Sequence, residues 1–196
     1  MPAPGSTHSI PTRLPLFVDL NRKRILVVGG GNVAASKLPT LLATGALVTL
    51  VAPQICPAAL VVGVSIRRRP FRPSDLKGVW FVVAAATHAA NAKVARAAER
   101  RRIFVNAVDD PTNGSANFAA TIRRGDLVLA ISTGGTVPAM ARLMREALEL
   151  LLPTDIEQWM SLGQSERERW LRERIPMNER LPLLAAAINR LHGDPR

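Results

Sequence analysis

Several stretches of this sequence hold residue types at spacings that can do chemistry. Gly29-Gly30-Gly31-Asn32-Val33-Ala34 fits the pattern Gly-x-Gly-x-x-Gly/Ala. In that pattern Gly29 makes a tight turn, Gly31 lets the backbone approach a diphosphate, and Ala34 permits close helix–sheet packing. Free N–H groups and the dipole of the following helix favour the anion. The stretch reads as a dinucleotide contact, against the plainer reading of a strand-to-helix turn. Ala85-Ala86-Thr87 are small residues that let a cofactor lie against the backbone. Asn106-Ala107-Val108-Asp109 closes an apolar run, at the strand end where open α/β sheets place ligands. Asn106 there either hydrogen-bonds a nicotinamide carboxamide or substrate, or caps a strand end. By residue type alone, Asp109-Asp110-Pro111 is a turn, because Asp before Pro favours one. Ser132-Thr133-Gly134-Gly135-Thr136 is a second glycine-rich turn, a second anion cradle for substrate carboxylates. A helix cap by Thr136 is compatible with that use.

These groups need elements to hold them. Ile25–Val28 is a short apolar run ended by glycines, and it reads as a buried strand. Ala34, Leu38, Leu41 and Leu42 follow at helical spacing to Gly45, with Pro39 predicting a kink or a short first segment. Further strands are predicted at 46–51, 64–68, 79–84 and 103–107, with a helix over 89–101. Strands alternating with helices indicate a doubly wound, Rossmann-like parallel sheet, an α/β fold. Strands are then predicted at 117–122 and 127–132, joined by a turn at Arg123–Asp126. Met140, Leu143, Met144, Ala147, Leu148 and Leu151 mark one helix face, with Pro138 in its first turn and Pro153 at its end. From Ile156 to Leu191 the pattern is charged and helical, with breaks expected at Pro176 and Pro182. The expected organisation is a sheet domain over 1–113, a small α+β module over 114–152 and a helical tail over 153–196.

Composition excludes several classes. With 196 residues the chain can bury a core without disulfides or a structural metal. Its single cysteine, Cys56, precludes an internal disulfide or a thiolate cluster, and reads as an ordinary thiol. His8, His88 and His192 are too far apart for a local metal motif, so no metal site is expected. Basic groups outnumber acidic ones 26 to 15, and residues 151–196 are neutral in sum, so residues 1–150 carry the whole +11. Such a field draws polyanions. With no Tyr and only five Phe and three Trp to stack bases, a small anionic molecule is favoured over nucleic acid. The uncharged stretch from Leu38 to Ile66 contains three prolines and reads as buried strands, not a membrane span. No export signal is seen before Thr12, so a cytoplasmic location is expected. Arg67-Arg68-Arg69 reads as a solvated run. Arg142 and Arg145 are placed on a polar helix face toward substrate or solvent. His88 reads as an exposed loop residue without chemistry. The second strand ends Val51-Ala52-Pro53-Gln54 without the acidic residue of an NAD ribose site. Gln54 or backbone groups are left for the ribose, and NAD and NADP both stay open.

Together, Leu14-Pro15-Leu16-Phe17, the Gly29–Ala34 turn, Ala85-Ala86-Thr87, Asn106–Asp109 and Ser132–Thr136 resemble the siroheme synthase N-terminal family in order and spacing. The resemblance runs from about Leu14 to Pro153. It implies NAD-dependent oxidation of precorrin-2 to sirohydrochlorin, in siroheme or another tetrapyrrole pathway, by a homodimer built through the middle module. Family members divide on ferrous-iron insertion into the product, and the residues do not choose. Some carry a fused methyltransferase domain; none is expected here. The family's functional aspartate matches Asp109, not Asp110, which makes Asp109 the expected general base. The resemblance also implies cofactor contacts at Gly29, Gly30, Gly31, Asn32, Val33, Ala34, Thr87 and Asn106, and substrate contacts at Ser132, Thr133, Gly134, Gly135 and Thr136. A NAD-sensing domain without catalysis is the rival reading.

Overall fold

The computed structural model describes residues 13–108, 110 and 112–191. They form two compact units, the first running to Phe118 and the second starting at Ala119. The first is a five-stranded sheet in the order β3-β2-β1-β4-β5, with every pair parallel. Its strands are β1 (Arg24–Val28), β2 (Leu47–Val51), β3 (Val64–Arg67), β4 (Val79–Ala84) and β5 (Phe104–Ala107). Parallel strands covered on both faces need apolar side chains in both directions. That is why Ile25, Leu26, Val27 and Val28 run without a polar interruption and are all buried.

Two helices cover opposite faces. α1 (Asn32–Ala43) sets Ala34, Leu38 and Leu41 against Ile25, Val27, Val48 and Leu50. α2 (His88–Glu99) sets Val94, Ala97 and Ala98 against Leu26, Val28, Val82 and Ala84. Each fully buried Leu or Val contributes roughly 1.5–3 kcal/mol. α1 continues through Pro39 to Ala43, so its first segment is not short. The strand order reverses between β1 and β4, the switch point at which doubly wound sheets open a crevice.

Arg67-Arg68-Arg69 is not simply a solvated run. Arg67 Nη1 donates to Asp75 Oδ1 at 3.0 Å and Arg69 Nη1 to Asp75 Oδ2 at 2.8 Å, and the Asp75 carboxylate is buried. The Arg69 hydrogen bonds, helped by the Arg72 backbone N–H and by Arg67, hold the Asp75 carboxyl at about 2, against the opposing effect of its burial. The cluster ties the end of β3 to the 3-10 turn Pro73–Leu76.

The second unit begins with the antiparallel hairpin β6 (Ala120–Arg124) and β7 (Leu127–Ile131). β6 starts three residues later than the sequence predicts. α3 (Pro138–Leu151), α4 (Ile156–Arg172) and α5 (Met177–Leu191) follow. α4 and α5 are separated around Pro176 as expected, but α5 runs through Pro182 without a break. The carbonyl that loses its donor there belongs to Asn178, one turn earlier and exposed, where water can serve it. Arg142 and Arg145 pair with Glu146 and Glu149 of their own helix, and Arg124 joins Glu149 at 2.8 Å. The predicted apolar face of α3 is largely uncovered: Met140, Leu143, Met144, Ala147 and Leu151 are exposed, and Leu148 is half-buried. Among the described residues, no helix is long and apolar enough to cross a membrane.

Candidate functional site

The crevice at the β1/β4 switch point is built by the loops that leave β1, β4 and β5. The Ala85 N–H donates to the Val28 carbonyl at 2.8 Å and the Val108 N–H to the Ala84 carbonyl at 2.9 Å, so the three strand ends open side by side. The three glycines of the first turn divide between two tasks. Gly29 has φ +122°, and a Cβ there would stand 2.1 Å from the Ala85 carbonyl oxygen. A Cβ at Gly30 would stand 2.1 Å from the Gln54 carbonyl oxygen, in the loop after β2. These two positions therefore serve the packing of strand ends. At Gly31 a Cβ would meet nothing within 4 Å. That opening lies at the N-terminus of α1, where no side chain caps the helix and no acidic residue occupies the first turn. Open space, uncapped amides and the positive end of a twelve-residue helix fit a diphosphate. Val33 is exposed beside it and Ala34 is fully buried under the sheet, as close helix packing requires.

Thr87 and Asn91 shape the β4 side. Thr87 is the N-cap of α2, accepting from the Ala90 N–H at 3.4 Å. Asn91 is buried, and its Oδ1 accepts from the Ala86 N–H at 3.0 Å, which fixes the Ala85–Thr87 loop. On the β5 side the buried Asn106 donates through Nδ2 to the Ala116 carbonyl at 3.1 Å. Asp109 lies outside the described residues.

Among the described residues of this edge, Asp110 is a buried carboxylate, 6% exposed. It accepts from Thr112 Oγ1 at 2.8 Å, from Asn113 Nδ2 at 2.8 Å and from the Asn113 N–H at 3.3 Å. The Asn113 and Thr112 hydrogen bonds hold its carboxyl below the usual carboxylate range. His88 Nδ1 lies 2.8 Å from Asp110 Oδ2. His88 is exposed as expected, but it is the first residue of α2 and paired, not a free loop side chain.

Ser132–Thr136 belongs to the second unit. The Gly134 N–H donates to Ser132 Oγ at 3.2 Å, and the Thr136 hydroxyl donates to the Thr133 carbonyl at 2.6 Å. Thr136 is therefore not the cap of α3. The N-cap is Val137, which has no side-chain oxygen to offer. Thr133 Oγ1 accepts from the Val137 N–H at 3.4 Å instead. Gly134, at φ +67°, faces open space.

An NAD(P)-binding family model matches residues 16–120, more than half of the chain. A siroheme synthase of Sodalis glossinidius is 41% identical over 167 residues, covering 83% of this chain and 35% of the relative. Siroheme synthase 3 of Aeromonas hydrophila is 43% identical over 172 residues, covering 85% and 37%. The chain belongs to the siroheme synthase N-terminal family. It spans little more than a third of the length of those siroheme synthases. Among solved structures, SirC, a precorrin-2 dehydrogenase, superposes with a TM-score of 0.67 at 25% identity, covering 90% of this chain and 89% of that one.

Within the family domain, the structure gathers Gly29–Ala34, Thr87 and Asn106 of the sequence-predicted set at one sheet edge. Sequence reasoning assigned His88 no chemistry and Asp110 only a turn, and it did not single out Asn91. A polar residue on the sheet-facing side of α2 was the signal available for Asn91. Nothing local distinguishes Asp110 from Asp109, because only the fold brings His88 to it.

Proposed function

We propose that this chain is an NAD-dependent precorrin-2 dehydrogenase that forms sirohydrochlorin, acting in the cytoplasm as a homodimer. The observation that carries the reading is the pairing of an open, uncapped diphosphate cradle at Gly31 with the SirC likeness along nearly the whole chain. Bound NAD supplies the hydride acceptor. Gly31, Asn32 and Val33 offer backbone N–H groups to the diphosphate, while Gly29, Gly30 and Ala34 keep the strand ends and helix close enough to form the cradle. Thr87 and Asn106 border the cofactor. Asp109 accepts a proton that the macrocycle loses, a role that asks for a carboxylate within hydrogen-bond reach of the ring. The Ser132–Thr136 turn offers amides and hydroxyls to the substrate's carboxylates. A net charge of +11 suits a macrocycle with many carboxylates.

Residues 114–152 form the dimerisation module in this reading. The exposed Met140, Leu143, Met144 and Leu151 of α3 support it, because a face of that kind on a soluble chain is costly unless a second surface covers it. Asp109→Ala separates enzyme from sensor. The expected result is NAD affinity within about twofold of the wild type by calorimetry, with turnover of precorrin-2 reduced at least ~10²-fold. Unchanged turnover would contradict the assignment of Asp109.

A further inference from the structure

His88 and Asp110 form an acid–base pair of one exposed and one buried side chain. Asp110 is already held by Thr112 and Asn113, so it does not require the imidazole as a partner. His88 is exposed over 77% of its side chain, so little packing is gained by fixing it. Yet its Nδ1 is 2.8 Å from a carboxylate oxygen. A carboxylate held ionised by three hydrogen bonds is an acceptor, so the proton between the two groups belongs to Nδ1. In the neutral imidazole that leaves the Nε2 lone pair as the basic site, directed away from Asp110. The pair joins the N-terminus of α2 to the loop after β5, at the same strand-end edge as the Gly29–Ala34 turn.

We propose that the His88–Asp110 pair takes over the proton that Asp109 accepts from the macrocycle and passes it to water. This rests on the dehydrogenase reading above. The oxidation removes two electrons and one hydrogen from the macrocycle as hydride, taken by oxidised nicotinamide, and a second hydrogen as a proton. The Nε2 lone pair binds that proton, Asp110 stabilises the resulting imidazolium, and Nε2 then gives the proton to solvent. Asp110 does not change protonation state. It is a positioning residue that fixes the tautomer and orientation of His88.

Two measurements test this on the full chain. Nitrogen-15 NMR of the protein alone should place the neutral His88 proton on Nδ1, and Asp110→Asn should weaken that preference. A neutral His88 carrying its proton on Nε2 would overturn the pair, whatever the substrate proves to be. In turnover of precorrin-2 with NAD, His88→Ala should lower kcat by at least ~10²-fold, and free imidazole should restore activity in proportion to its concentration. His88→Gln, which keeps a polar side chain, should behave like His88→Ala. Wild-type rates in His88→Ala, or a loss that imidazole does not restore, would overturn the relay while leaving the dehydrogenase intact. No turnover by the wild-type chain would overturn the dehydrogenase reading and the relay's role with it.

Discussion

The two units of this chain treat apolar surface in opposite ways. In the first, α1 and α2 cover both sheet faces, and Ile25, Val27, Leu38, Leu50, Val82 and Val94 are buried within one chain. In the second, α3 carries a well-formed apolar face that the chain leaves in solvent, with Leu143 58% and Leu151 77% exposed. The same hydrophobic effect acts on both, so burying the α3 face is favourable wherever a matching surface meets it. The first unit thus forms its ligand edge from its own packing, whereas the α3 face of the second is the surface that the proposed homodimer would bury.

The largest expected effect breaks the first unit. Gly29→Val places a side chain at positive φ and against the Ala85 carbonyl, and should cost roughly 3–5 kcal/mol in urea unfolding. Gly31→Ala, two residues later in open space, should leave stability nearly unchanged and weaken NAD binding about tenfold by calorimetry. Equal stability losses at the two positions would show that both glycines serve the fold.

A middle effect comes from Asp75. Its carboxyl is depressed to about 2, so its ionised form stabilises the fold fully above the ordinary carboxylate range. That contribution is lost as pH falls from about 4 to about 2. Asp75→Asn should cost about 1–3 kcal/mol at neutral pH and flatten the stability–pH curve over that acid window. A variant as acid-sensitive as the wild type would place the acid sensitivity elsewhere.

The smallest effect on the single chain belongs to the second unit. Leu143→Glu should change chain stability by less than about 0.5 kcal/mol, yet convert the proposed dimer to monomer in sedimentation. A dimer that survives the charge would remove α3 from the interface.

The sequence made the sheet legible because both of its signals are local. Apolar runs such as Ile25–Val28 mark strands buried on two faces, and the Gly29–Ala34 turn announces the helix after β1. What it concealed depends on partners far along the chain. Arg67 and Arg69 look solvated until Asp75 folds beneath them. His88 looks idle until the β5 loop brings Asp110 to it, 22 positions away in sequence. Pro182 failed as a break because one missing donor in an exposed helical turn is tolerated. Thr136 failed as a cap because its hydroxyl turns back to Thr133, one residue before the helix needs it.

The most direct test of the central claim is anaerobic incubation of the chain with precorrin-2 and NAD, recording the full absorption spectrum over time. The account predicts the sirohydrochlorin spectrum appearing in step with an equal amount of NADH, with ferrous iron added afterwards to read insertion separately. NAD binding without any spectral change in the macrocycle would contradict it.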